Sequence, residues 1–167
     1  TFKGKPVAKD WPKIEGAKTD ELLELLKHPQ DLVRDHARRK LRHTEGIVSF
    51  LDSWLEKNRE DESILEALWI LQDQGEVRQS LLAHLLKSED YRIRAAATHL
   101  IRFQADQLEQ PKAILRKMAK DGHPRVRTEV IHVVSHLQRK DPTYASLLGQ
   151  VKVDGDKALQ TIIQDAS

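Results

Sequence analysis

The same two-residue element recurs along the chain at a nearly constant spacing. An apolar residue followed by arginine stands at positions 33–34, 93–94 and 126–127, and a related apolar pair stands at 64–65. Successive elements are 31, 29 and 33 residues apart. Because a unit of this size cannot bury an apolar face by itself, a period of about 30 residues predicts an array of stacked units.

Within each unit the apolar residues stand three and four positions apart, which indicates two amphipathic helices joined by a short turn. We name the first helix of each pair A and the second helix B, so that the recurring arginine lies on helix B. This pattern predicts an all-α fold, a right-handed α-α superhelix of about four helix pairs. The predicted pairs occupy residues 20–44, 45–75, 76–104 and 105–138.

The two ends of the chain lack this pattern. Residues 1–19 contain two prolines, two glycines and five lysines without helical periodicity, so we predict an extended connector and a candidate end of a preceding domain. Residues 139–167 are predicted to form an irregular segment and a C-terminal helix that caps the array. Because the chain begins with Thr1 rather than methionine, we expect it to be part of a longer protein.

Composition argues against several classes of function. The 28 Lys and Arg residues nearly balance the 26 Asp and Glu residues, so no bulk positive charge attracts phosphate backbones or anionic lipid. Without cysteine the chain forms no disulfide, thiolate zinc site, iron–sulfur cluster or covalent haem attachment. No run approaches the roughly 18 apolar residues of a membrane-spanning helix, which predicts a soluble chain without membrane insertion.

The recurring element is longer than two residues in two of the units. It reads LVRDHA at 32–37 and IRAAA at 93–97, and a weaker form reads VRTEV at 126–130. This apolar–Arg–x–x–Ala element after a tight turn resembles HEAT repeats of the phycobilin-lyase-like type. The resemblance covers most of residues 20–138.

That resemblance implies a structural ladder between adjacent units, in which an acid in the turn and the arginine of helix B form hydrogen bonds and ion pairs. Asp31 with Arg34 and Asp90 with Arg94 would be its rungs. Arg127 would continue the ladder in the fourth unit. The second unit departs from the pattern because Leu65 stands where the arginine belongs.

A narrower resemblance rests on the order of the segments. TFKGKPV is followed by TDELLELLKHPQDLVRDHARRKLR, ILEALWILQDQG, YRIRAAATHLIRF and HPRVRTEVIHVVSHL. This order is similar to the HEAT region of large bacterial proteins labelled membrane-bound dehydrogenases, found in planctomycetes and verrucomicrobia. The resemblance implies a β-propeller before this region, with residues 1–7 as the last strand of the propeller, and a c-type cytochrome after the region. It also implies that the whole protein is periplasmic or exported. The cofactor residues of such a propeller and the haem-binding cysteines are not in this sequence, so no cofactor is predicted.

One group of side chains invites a metal hypothesis. Glu129, His132 and His136 stand at i, i+3 and i+7 on the fourth B helix, and two imidazoles four residues apart can share a divalent metal. The HExxH order is missing, and surface histidines at this spacing are common. We therefore favour a solvated helix face and predict no metal site.

The densest positive patch lies at residues 34–42. Arg34, Arg38, Arg39 and Arg42, together with Lys40, are candidate partner-binding residues and could neutralise several phosphates. Several acids stand close by, and cations at a helix C-terminus are favourable without any ligand. A nucleic-acid stripe should also extend across several units, so nucleic acid is the less favoured partner.

Two further pairs of residues have structural interpretations. Trp54 and Trp69 lie on apolar stripes and are predicted to pack in the core of the second unit. His28 and His123 each precede a proline in a turn between helices A and B, so we predict that they close these turns.

The sequence therefore favours a non-catalytic interaction or spacer module that binds protein, either other domains of its own chain or a separate protein. A nucleic-acid-binding domain that uses the patch at 34–42 is the first alternative. A lyase-like enzyme on a HEAT scaffold is the second, although no G-x-S-x-G element positions a nucleophilic serine. The oligomeric state stays open.

Overall fold

The computed structural model describes residues 12–166. These residues form nine α-helices and one 3-10 helix, with no β-strand among them, which confirms the all-α prediction. No helix in this range has the length and apolarity needed to cross a bilayer. The predicted strand at 1–7 lies outside the described residues. The helices are α1 Thr19–Leu25, α2 Asp31–Leu41, α3 Ile47–Leu55, α4 Asp61–Asp73, α5 Gln79–Leu85, α6 Tyr91–Gln104, α7 Pro111–Met118, α8 Pro124–Leu137, the 3-10 helix Pro142–Gln150 and α9 Lys157–Ala166.

Up to α8 the helices alternate between the two predicted types, α1, α3, α5 and α7 being A helices and α2, α4, α6 and α8 being B helices. The chain divides into two compact units between Lys57 and Asn58. This division falls within the predicted pair 45–75. The predicted repeat boundaries themselves remain predictions.

The first unit contains α1, α2 and α3. Helix α1 packs against both α2 and α3, and their buried side chains are mainly leucines. Trp54 is buried, as predicted, and its Nε1 donates a hydrogen bond to Glu24 Oε1 at 3.2 Å. Leu32 is exposed although it follows the apolar spacing of α2, so the buried face of this helix is narrower than the sequence pattern.

The second unit contains a layer of three B helices. Helix α6 packs between α4 and α8, while the A helices α5 and α7 each contact the B helices that flank them. Small side chains at the centre of the layer, Ala97 and Thr98, are fully buried and allow close helix approach. Helix α8 buries four valines, so packing outweighs their low helix propensity. This arrangement is the stacking expected of a solenoid.

The prediction that Trp69 packs in the core is wrong. Trp69 is only half-buried, and its ring lies 5.8 Å from the ring of His99 on α6. The neighbouring α4 residues Leu68 and Ile70 are buried instead. Trp69 therefore lies at the edge of the core, on the outer face of the B-helix layer.

The two histidines that precede prolines close their turns. Nδ1 of His28 accepts a hydrogen bond from the backbone amide of Gln30 at 3.1 Å, and Nδ1 of His123 accepts one from the amide of Arg125 at 3.1 Å. Each imidazole nitrogen thus accepts a hydrogen bond from an amide near the start of the following B helix. Amides at this position have no carbonyl partner within the helix. This geometry agrees with their predicted role.

Residues 139–156 are more ordered than the predicted irregular segment. The carboxylate of Asp141 accepts a hydrogen bond from the backbone amide of Thr143 at 3.0 Å and caps the 3-10 helix. This helix packs on α7 and α8 and buries Tyr144, Leu147 and Leu148, and α9 then packs on α8. Both elements cover one side of the last helix pair.

Candidate interaction surface

An arginine on helix B bonds back to the end of the preceding A helix in three of the four pairs. Each guanidinium Nη1 donates to the carbonyl oxygen six residues earlier, just beyond the C-terminus of helix A, where carbonyls lack helical partners and carry partial negative charge. We call this contact the arginine clamp. Its members are Arg34 with His28 at 2.7 Å, Arg94 with Ser88 at 2.8 Å and Arg127 with Asp121 at 2.8 Å.

The structure corrects one predicted rung of the ladder. Arg94 Nε and Nη2 donate to the two carboxylate oxygens of Asp121 at 2.8 and 2.9 Å, while Asp90 pairs with Arg92. Asp121 belongs to the turn of the following pair, so this rung joins α6 to the turn between α7 and α8. Asp90 therefore acts on Arg94 through its charge and not through a hydrogen bond, whereas Asp31 and Arg34 are in contact.

The carboxylate of Asp121 is charged although it is nearly buried, with its side chain 9% exposed. Burial raises its pKa, but the hydrogen bonds from Arg94 and from the amide of His123, together with the positive charge of Arg94, bring it below the ordinary value of 3.8. Arg127 is also buried and bonds to the carbonyls of Asp121 and Gly122, with Asp154 3.8 Å away. The hydrogen bonds of Asp121 and Arg127 therefore fix the turn between α7 and α8.

The positive patch at 34–42 is largely matched by carboxylates. Asp35 lies 2.7 Å from Arg39 and 3.5 Å from Arg38, and Glu15 lies 2.8 Å from Lys40. Arg34 contacts Asp31, and Arg42 is half-buried. The charge available for a phosphate backbone is thus smaller than the sequence suggests.

A groove of about 440 Å³ lies on the outer face of the B-helix layer in the second unit. Ala95 and Ala96 of α6 form part of its lining, where their small side chains leave space. Larger side chains from α4, α6 and α8 surround this space. They are Trp69, Tyr91, Arg92, His99, Arg125 and Glu129.

Hydrogen bonding and ring stacking hold the groove together. His99 Nδ1 lies 2.5 Å from Glu129 Oε1, which joins α6 to α8 across the groove. The ring of Phe103 contacts that of His99 at 5.5 Å. At the N-terminal ends of the same helices, Tyr91 stacks on His123 with ring centroids 3.5 Å apart. Because His99 and Tyr91 have their partners Glu129 and His123 on another helix pair, the sequence pattern within one helix gives no signal for the groove.

The three side chains that invite the metal hypothesis, Glu129, His132 and His136, are engaged in other interactions. Glu129 bonds to His99, and His132 Nδ1 lies 3.8 Å from the second oxygen of Glu129. Burial and the charges of Arg102, Lys140 and Arg139 lower the pKa of His136, so it lies in positive surroundings that disfavour a cation. Within residues 12–166, no group of three or more His, Asp or Glu side chains is arranged for a metal.

Hydroxyl groups near the groove are engaged in their own helices. Thr98 Oγ1 donates to the carbonyl of Arg94 at 2.8 Å, and Ser135 Oγ donates to that of Ile131 at 2.7 Å. Such bonds hold a hydroxyl against its helix rather than beside a general base. The groove therefore offers rings, guanidinium groups and one bonded carboxylate, a chemistry suited to holding a ligand.

Paired helices, stacked B helices and clamped turns together define an α-helical repeat protein. A family model described as HEAT repeats matches residues 78–166, slightly more than half of the chain. The chain belongs to the HEAT-repeat family. HEAT repeats commonly mediate protein interactions and are typically non-catalytic scaffolds. No curated protein and no solved structure shows a significant match.

Proposed function

We propose that this chain is a non-catalytic interaction module whose second unit binds a protein on the outer face of its B helices. The groove between α4, α6 and α8 carries this proposal, because it combines exposed rings and guanidinium groups, the side chains enriched at protein interfaces. The partner is another domain of the same protein or a separate protein. Nucleic-acid binding at 34–42 has less support, since acids accompany those cations, and no group of side chains within residues 12–166 supports a lyase-like activity.

Site-specific cross-linking tests this proposal. Phe103, on α6 beside the groove, is 47% exposed, and Phe50, on α3 of the first unit, is 41% exposed. A photoreactive phenylalanine analogue at position 103 is expected to cross-link a defined protein in cells of the native host, because this ring borders the surface proposed for the partner. The same analogue at position 50 serves as the matched control, and the products are compared on denaturing gels.

The cross-linked product also separates the alternatives. A product sensitive to protease and resistant to nuclease supports a protein partner. Equal products at positions 50 and 103, or none at 103, would argue against binding at this face. A nuclease-sensitive product would favour the nucleic-acid alternative instead.

We further propose that the chain is the HEAT region of a larger, multidomain bacterial protein of the propeller–HEAT–cytochrome type, periplasmic or exported. The order of its sequence segments supports this assignment. Sequencing the complete reading frame is the test: it is expected to encode a β-propeller upstream of Thr1 and a CxxCH haem-attachment motif downstream of Ser167. A frame without either element would refute this narrower assignment and leave the interaction proposal in place.

A further inference from the structure

A second feature lies beside the groove, at the C-terminal ends of α6 and α8. Arg139 and Lys140 follow His136 just after the end of α8, Arg102 lies near the end of the neighbouring α6, and besides burial the charges of all three lower the pKa of His136. Among residues 12–166 none of these three cations forms a salt bridge, in contrast to Arg38, Arg39 and Lys40 of the first unit. We call Arg102, Arg139, Lys140 and His136 the cationic cluster.

The cationic cluster continues the same helix faces that line the groove. On α6, Arg92, Ala95 or Ala96, His99 and Arg102 follow one another at intervals of three or four residues, which places them on one stripe. On α8, positions 125, 129, 132 and 136 form a parallel stripe, and Arg139 follows in the turn after the helix. One ligand lying along these stripes therefore meets both the groove and the cluster.

The opposite end of the groove has a different charge. Arg92 is paired with Asp90 at 2.6 Å and also feels the charge of Glu62 on α4. Arg125 lies 4.0 Å from Glu129. The cations at the N-terminal ends of the helices are thus close to carboxylates, whereas the three cations at the C-terminal ends form no salt bridge within residues 12–166.

We propose that this surface binds an extended peptide segment that places one bulky apolar side chain in the groove and a short run of carboxylates over the cationic cluster. Trp69 and His99 provide rings against which an apolar side chain can pack, and Ala95 and Ala96 leave the space for it. This inference rests on the proposed interaction function and specifies the chemistry of the partner.

The dimensions set the spacing within such a segment. Positions 92 and 102 on α6 are ten residues apart, or about 15 Å along the helix axis. An extended chain covers that distance in about five residues. The apolar residue and the acidic run are therefore separated by only a few residues.

The charge distribution favours a peptide over a nucleic acid. A single strand of nucleic acid carries a phosphate at every nucleotide and is bound by a groove that is positive along its length. Here Glu129 lines the groove, and the charges of Glu62 and Asp90 act on the lining residue Arg92. A segment with an apolar head and an acidic tail avoids these carboxylates and still reaches the cationic cluster.

Two fluorescein-labelled seven-residue peptides test the inference on the full chain. In each, two glycines separate one phenylalanine from a run of four glutamates, and the two peptides differ in whether the glutamates follow or precede the phenylalanine. We expect at least one to bind, measured by fluorescence anisotropy. Replacing its phenylalanine by glycine, or its glutamates by lysines, is expected to weaken binding by about tenfold or more.

Variants of the chain locate the site. Arg139→Glu combined with Lys140→Glu should weaken binding by about tenfold, because both side chains are exposed and reversal of their charge repels the peptide. The matched control, Arg38→Glu combined with Arg39→Glu, makes the same charge change on α2 and should leave affinity within about twofold. Trp69→Leu should weaken binding without loss of helical circular dichroism.

Several results would overturn the inference. These are no binding by either peptide at millimolar concentration, equal binding by the phenylalanine-free peptide, and equal loss in the two charge-reversal variants. Tighter binding of an octathymidylate through the same residues would assign the surface to single-stranded nucleic acid. If a protein still cross-links at position 103 while both peptides fail, the peptide chemistry is wrong and the interaction module stands.

Discussion

Replacement of Asp121 by alanine is expected to lower the free energy of unfolding of the second unit by about 3 kcal/mol. The substitution removes both carboxylate acceptors of the Arg94 guanidinium, whose side chain is only 17% exposed and keeps its bond to the Ser88 carbonyl. It also removes the acceptor for the amide of His123. A cation left nearly buried without its carboxylate costs more than the lost bonds alone, because its desolvation is no longer offset.

The pair can be isolated by a double-mutant cycle of Asp121→Ala and Arg94→Ala. Native-state hydrogen exchange of the α6 and α8 amides measures the second unit separately from the first. Arg92→Ala is the matched control, since this arginine also pairs with an aspartate but is exposed, and it should change stability little. A coupling energy near zero would show that the ion pair between Asp121 and Arg94 does not stabilise the second unit.

The coupling energy measured by this cycle should decrease at low pH. The folded pKa of Asp121 lies below its unfolded value, so its carboxylate contributes stability above the unfolded value of about 3.8. This contribution is lost as the pH falls through the lower, folded pKa. Coupling is therefore expected to be constant between about pH 5 and 7 and to shrink below about pH 4.

Leu100→Ala is expected to destabilise the second unit by about 3 to 4 kcal/mol. Leu100 is 0% exposed and lies on α6, which packs against both α4 and α8. Truncation removes buried apolar surface and leaves a cavity that rigid helices fill only in part. Exchange of the amides in all three B helices should accelerate together if the layer is cooperative.

Phe103→Ala serves as the control on the same helix. Its ring is half exposed, so its loss should cost much less than the loss of Leu100. Similar effects for the two substitutions would show that α6 does not bury its Leu100 face in the layer. Acceleration confined to α6 would show that the B helices open one at a time.

The helical fold could be predicted because its signal is local. Apolar residues three and four positions apart identify a helix without reference to its neighbours, and prolines and glycines mark the turns. The segment at 139–154 is harder to predict because Pro142 interrupts the helical periodicity. Proline is also tolerated in the first turn of a helix, where its missing amide has no helical partner, and Asp141 caps that turn.

The surface could not be predicted in the same way because its contacts join residues far apart in the chain. Arg94 and Asp121 are 27 residues apart, and His99 and Glu129 are 30 apart. Neighbouring arginines compete for the same acidic residue of a turn. Asp90 pairs with Arg92, and Arg94 pairs with Asp121 instead. Charge density along the sequence likewise pointed to residues 34–42, whereas the cationic cluster forms only when α6 packs on α8.

The arginine clamp has a consequence for the order of folding. Its bond closes a loop of only six residues, so the entropy lost in forming it is small and it needs only one helix pair. The bond from Arg94 to Asp121 requires a second pair to be in place. Each pair of the second unit that carries a clamp can therefore form a native turn early, and docking of neighbouring pairs follows as the slower, cooperative step.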